Sequence, residues 1–128
     1  MTESADIQNR WLRGLLEACV LVVLQTSPAY GYEIASRFEE AGLSRPKGGT
    51  LYPILARLEK DGLVEPQWVE GASGPSRKYY SLTAAGTATA QTIGPEWKLF
   101  VDRVSSLLNE PDPVSYTHLT QPTSTSRC

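Results

Sequence analysis

Past Leu63 the apolar period of this chain changes from helical to alternating, and that change restricts the folds open to it. Val64–Glu70 and Arg77–Leu82 are short runs rich in Val, Trp and Tyr, separated by Gly71-Ala72-Ser73-Gly74-Pro75-Ser76. They predict a β-hairpin whose loop is too long for a tight turn. Pro66 cannot donate to a ladder, which confines the first strand to a sheet edge. Tyr79, Tyr80 and Trp68 alternate across the hairpin and are read as core packing in preference to base stacking.

Upstream the period is three to four. Leu12, Leu15, Leu16, Cys19, Val20 and Val23 predict one helix from Trp11 to about Leu24, after a frayed polar Met1–Gln8 and before the stop at Ser27-Pro28. A second helix is expected over Tyr30–Ala41, with Ile34 and Phe38 inward and Gly42 as its left-handed stop. A third starts between Gly48 and Thr50 and ends at Gly62, with Leu51, Leu55 and Leu58 inward; Pro53 is expected in its first turn. Thr83 supplies an N-cap for a fourth helix from Ala84, and Gly94-Pro95 predicts a kink there or two consecutive helices.

This order gives a mainly α chain with a small β-hairpin: a winged helix-turn-helix over residues 1–82 and a C-terminal helix over 83–110. In that arrangement the third helix is the one offered to the DNA major groove. Net charge is −2, but its distribution is uneven: residues 1–44 carry −3, residues 45–82 carry +2 and residues 83–128 carry −1. Only the middle third can attract phosphate, which suits a local contact rather than a broad wrap.

Two cysteines without metal-ligand spacing, and one histidine, exclude a zinc site from expectation, and no cofactor motif is present. No Ser/His/Asp or Cys/His set, phosphate-cradling glycine loop or paired carboxylates suggest an enzyme. The longest apolar run, Ala18–Leu24, is far short of the ~20 residues of a membrane helix, and no secretion signal precedes it. A cytoplasmic location without membrane contact is expected.

Three segments carry a resemblance: Tyr30-Gly31-Tyr32-Glu33-Ile34, then Gly49-Thr50-Leu51-Tyr52-Pro53-Ile54-Leu55-Ala56-Arg57-Leu58-Glu59-Lys60-Asp61-Gly62-Leu63-Val64, then Arg77-Lys78-Tyr79-Tyr80-Ser81-Leu82-Thr83-Ala84-Ala85-Gly86. Together they resemble the signature segments of the PadR family of transcriptional regulators, over roughly Leu12 to Leu108. The resemblance implies a dimeric repressor, often one released from DNA by a small aromatic or drug-like molecule. It also implies a phosphate contact at Tyr32. At Trp97 it implies a flat pocket between protomers where planar ligands stack.

With Leu51, Leu55 and Leu58 inward, the outer side and start of the third helix offer Lys47, Gly48, Gly49, Thr50, Tyr52, Pro53 and Arg57. The glycines admit phosphate to backbone N–H groups, which the helix N-terminus favours. Thr50, Tyr52 and Arg57 can reach phosphate or base edges. Thr50 also reads as a helix cap, and Tyr52 as packing on the wing. Arg77 and Lys78 open the second strand, where two cations meet a flanking phosphate or are simply solvated. Lys47, Arg57, Arg77 and Lys78 are expected on one face, which separates a DNA binder from the alternative, a winged-helix module that binds only protein.

Past Pro95, Trp97, Phe100, Val101, Val104, Leu107 and Leu108 form a helical stripe. It folds back on its own domain or meets the same helix of a second copy, with Trp11 and Leu12 contributing. Two-fold pairing sets two recognition helices about one DNA turn, ~34 Å, apart and matches a palindromic operator. Residues 113–128 are read as a non-native or disordered tail; Val114–Thr123 resembles a translated sequencing-library transposase adapter.

Overall fold

The computed structural model describes residues 3–71 and 74–109. The elements are α1 (Glu3–Arg13), α2 (Leu16–Thr26), β1 (Ala29–Tyr30), α3 (Gly31–Glu40), α4 (Gly48–Lys60), β2 (Val64–Val69), β3 (Arg77–Leu82) and α5 (Ala84–Leu108). The fold is mainly α with a small antiparallel sheet, a winged helix-turn-helix followed by a long C-terminal helix. The tail from residue 110 lies outside the described residues.

The helix expected from Trp11 to Leu24 is two helices, and the stretch expected to fray is helical from Glu3. The Gly14 N–H donates to the Trp11 carbonyl at 3.2 Å and the Leu15 N–H to the Leu12 carbonyl at 2.8 Å. These tight i→i−3 bonds close α1 where a glycine weakens helix continuation. Helix α2 restarts at once and buries Leu16, Val20, Leu21 and Leu24. Beside them, burial pushes the Cys19 thiol up and keeps it protonated. The end of α2 is held from α3: Arg37 Nη1 donates to the Val23 carbonyl at 2.8 Å, and its Nη2 to Ser27 Oγ at 2.9 Å.

Helix α3 presents Ile34, Ala35 and Phe38 to the core. Both α3 and α4 stop at a left-handed glycine, Gly42 (φ 88°) and Gly62 (φ 79°). The next N–H reaches back in each case, Leu43 to the Phe38 carbonyl at 3.0 Å and Leu63 to the Leu58 carbonyl at 2.9 Å. Helix α4 buries Leu51, Ile54, Leu55 and Leu58. With these, Val20, Ile34, Phe38 and Val64 form the tightest part of the core, which holds no buried polar side chain among the described residues.

The sheet has three strands in the order β1-β3-β2, so the hairpin gains a partner that periodicity did not reveal. Ala29 and Tyr30 pair with Tyr80 and Tyr79. Strand β2 is an edge, which accommodates Pro66. Along the core side, Val64 lies opposite Leu82, Pro66 opposite Tyr80 and Trp68 opposite Lys78. Val64 and Tyr80 are buried, but Trp68 is 66% exposed, a correction to its reading as core. The reason is reach: Trp68 stands four residues, ~14 Å of extended strand, beyond Val64, where the hairpin projects past the core.

Thr83 caps α5 by accepting from the Gly86 N–H at 3.0 Å, while its hydroxyl donates to the Gly62 carbonyl at 2.7 Å. Its own N–H donates to the Leu63 carbonyl at 3.1 Å. Gly86 is buried, and a Cβ there would land on that same Leu63 carbonyl oxygen. Helix α5 runs through Gly94 and Pro95 as one element rather than two. The missing proline N–H removes a single helical bond, and the flanking turns carry the helix across. Residues through Gly94 form one compact unit, to which α5 adds Ala90 and Ile93, and residues from Pro95 belong to a second.

Candidate nucleic-acid interface

Helices α3 and α4 make the helix-turn-helix, joined through residues 41–47. Lys47 is extended (φ −81°, ψ 157°), and its carbonyl accepts from Thr50 and Leu51 at 2.9 and 2.8 Å. No side chain caps this helix, so Thr50 is not its cap. The N–H groups of Gly48 and Gly49 have no carbonyl within the helix to bond, and both residues are exposed. Pro53, expected in the first turn, is the sixth residue of α4. It therefore has no N–H for the Gly49 carbonyl, and the exposed start of α4 carries an acceptor beside its donors.

A helical turn of 3.6 residues divides the outer surface of α4. Gly49, Pro53, Ala56 and Lys60 lie opposite the buried stripe. Thr50 and Arg57 flank one side, Gly48, Tyr52 and Glu59 the other. Arg57 does not share a face with the wing cations as expected: its Nε meets Glu17 Oε2 of α2 at 2.6 Å. On the opposite flank, Tyr52 covers Gly31, where a Cβ would overlap its ring.

Beside that flank stands the wing. Between them is a groove of about 580 Å³ lined by residues including Tyr52, Glu59, Trp68, Arg77, Lys78 and Tyr80. Lys78 Nζ lies 3.7 Å from Glu59 Oε1 and 5.5 Å from the centre of the Tyr80 ring. Arg77 Nη1 donates to the Tyr30 hydroxyl at 2.9 Å, with its guanidinium 4.6 Å from that ring's centre.

Periodicity did not disclose a row of aromatic rings and cations along the start of α3. The Tyr30 and Tyr32 rings stack at 6.3 Å between centres, and Tyr30 meets Tyr79 at 5.2 Å. Arg45 covers the exposed Tyr32 ring at 4.5 Å and donates to Ser36 Oγ at 3.1 Å and Glu39 Oε1 at 3.0 Å. The structure thus brings Tyr32, Tyr52, Arg77 and Lys78 onto the same helix-turn-helix and wing, and adds Tyr30 and Arg45. The Tyr30 contact fixes Arg77 without neutralising it, whereas Arg45 is also paired with the Glu39 carboxylate. The signal was present in the Tyr-rich segments, but nothing local says which arginine covers which ring.

In the second unit, Trp97 and Phe100 are exposed and touch with ring centres 6.0 Å apart. Val101 and Val104 are half-buried, and Leu107 is 85% exposed. In α1, Trp11 is exposed while Leu12 packs against the core. Among the described residues no group of three or more His, Cys, Asp or Glu could hold a metal, and no helix is long and apolar enough to cross a membrane.

Residues 20–92 match the profile described as "Transcriptional regulator PadR-like family". An uncharacterized protein of Lysinibacillus sphaericus is 32% identical over 93 residues, which are 71% of this chain and 85% of that one. A crystal structure of a PadR-like transcriptional regulator from Bacillus cereus superposes with a TM-score of 0.70 at 30% identity, covering 80% of this chain and 99% of that chain. One of a PadR family regulator from Eggerthella lenta gives 0.69 at 32% identity, covering 84% and 94%.

Proposed function

The chain belongs to the PadR-like family of transcriptional regulators, and from that premise we propose that it is a dimeric repressor of a palindromic DNA site, released by a small planar aromatic ligand. It is a DNA-binding regulator rather than an enzyme. Under this reading α4 enters the major groove. Gly48 and Gly49 offer N–H groups to phosphate, and Thr50, Tyr52, Pro53 and Arg57 approach base edges or backbone. Lys47, Tyr32, Arg77 and Lys78 supply flanking phosphate contacts.

The observation that carries the reading is the start of α4, exposed and uncapped, beside a wing bearing two adjacent cations. Dimerisation through α5 is supported by Trp97, Phe100, Leu107 and Leu108, which stand exposed on one helix. Trp11 and Leu12 are the proposed additions from α1. The exposed Trp97–Phe100 pair supports the planar-ligand role, since such rings stack on flat aromatics.

The test is a titration of labelled duplex containing the palindrome upstream of the gene, followed by fluorescence anisotropy at several salt concentrations. Binding that falls steeply with salt, with one dimer per site, is expected. Absence of salt-dependent binding to both that duplex and unrelated DNA would overturn the reading in favour of a protein-only partner.

A further inference from the structure

Trp68 has no part in the core, and its indole is among the most exposed large apolar side chains described. It stands opposite Lys78 on the core side of the hairpin, in the wall of the groove shared with Tyr52. With α4 in the major groove, the sugar-phosphate strand bounding that groove must pass along a flank of the helix. The flank next to the wing bears Tyr52 and Glu59, so the strand on that side is led between α4 and the hairpin.

We infer that this groove seats one DNA sugar-phosphate strand and that Trp68 is a backbone-contact residue, its ring packed on deoxyribose while Lys78 and Arg77 meet the adjoining phosphates. The inference rests on the DNA-binding reading above. Three observations argue for this occupant. Two cations and one carboxylate leave the groove positive, which suits a polyanion. Its exposed rings, Tyr52 and Trp68, offer apolar surface matched to the C–H faces of sugars rather than to phosphate. Glu59 holds Lys78 loosely, at 3.7 Å, so a phosphate can take the ammonium over.

A contact through an uncharged ring predicts a particular signature. Trp68→Ala weakens binding to operator and unrelated duplex by the same factor, roughly five- to tenfold. The slope of log affinity against log salt stays as in the wild type, because no counterion-releasing charge is lost. Lys78→Gln instead lowers that slope by about 0.9. Trp68→Phe restores most of the loss, and thermal unfolding of each variant shows that the exposed position does not alter folding. Wild-type binding with Trp68→Ala within twofold of it overturns this inference alone; absence of DNA binding in the wild type overturns the reading beneath it. A Trp68→Ala chain that sediments as monomer where the wild type is dimeric also overturns it, by placing the indole in a protein interface.

Discussion

Arg57 and Glu17, forty residues apart in sequence, meet at 2.6 Å and tie the outer edge of α4 to the first turn of α2. Their side chains are 56% and 46% exposed, so water and salt screen the pair and its removal costs at most ~1 kcal/mol of stability. In the proposed DNA complex the pair matters more, because Glu17 competes with phosphate for the Arg57 guanidinium. Glu17→Gln is expected to tighten DNA binding by up to about fivefold, and Arg57→Ala to weaken it and alter sequence preference. Anisotropy titrations of both check this; unchanged affinity in both places the pair outside the interface.

The wing cations have a different dependence. Arg77 is steadied by the Tyr30 hydroxyl and ring, whereas Lys78 is held only loosely by Glu59. Replacing both with alanine is expected to reduce affinity and flatten the salt dependence by close to two counterions, a slope change of about 1.8. A double variant with the wild-type slope removes the wing from the contact surface.

Gly86 reverses an ordinary rule. Glycine to alanine inside a helix usually stabilises by up to ~1 kcal/mol. Here the new methyl would meet the Leu63 carbonyl, a backbone atom that also accepts from Thr83. Gly86→Ala should therefore destabilise the fold by roughly 1–3 kcal/mol. Urea unfolding with an unchanged slope and a lower midpoint is the expected result; a raised midpoint would mean the junction can open at little cost.

The stripe after Pro95 supports two measurements. Val104→Asp places a charge in the proposed interface and is expected to give monomers with weak DNA binding, read by sedimentation. Planar aromatic ligands should quench Trp97, and quenching that survives Trp97→Phe relocates the pocket, since Trp11 and Trp68 are the other indoles.

What the sequence disclosed was whatever is enforced locally. The stops at Gly42 and Gly62, the cap at Thr83, the edge position of Pro66 and the inward Ile34, Phe38, Leu51, Leu55 and Leu58 each follow from a residue's own geometry or from its period. Strand β1 is only two residues long and exists through its pairing with Tyr79 and Tyr80, so it leaves no pattern to read. The break at Gly14 was hidden because Leu12, Leu15 and Leu16 stay in helical phase across it. Trp68 followed the alternation, but alternation says nothing about where the core ends. For the candidate site, the residue types on α4 and the wing were legible. The partners Glu17, Glu59 and Tyr30, and the arginine covering Tyr32, come from other elements and had to be seen in three dimensions.

Thr83 is usually thought of as a cap, yet here it is also a weld. Its N–H holds the Leu63 carbonyl, its hydroxyl holds the Gly62 carbonyl, and the same oxygen receives the Gly86 N–H. Gly86 closes against that backbone with no room for a methyl group. The turn that follows α4, at Gly62 and Leu63, and the first turn of α5 therefore meet at a joint without slack. A close-packed joint transmits displacement instead of absorbing it. Whatever displaces the start of α5 displaces the Gly62-Leu63 turn with it, and that turn is the link between α4 and the wing strand β2.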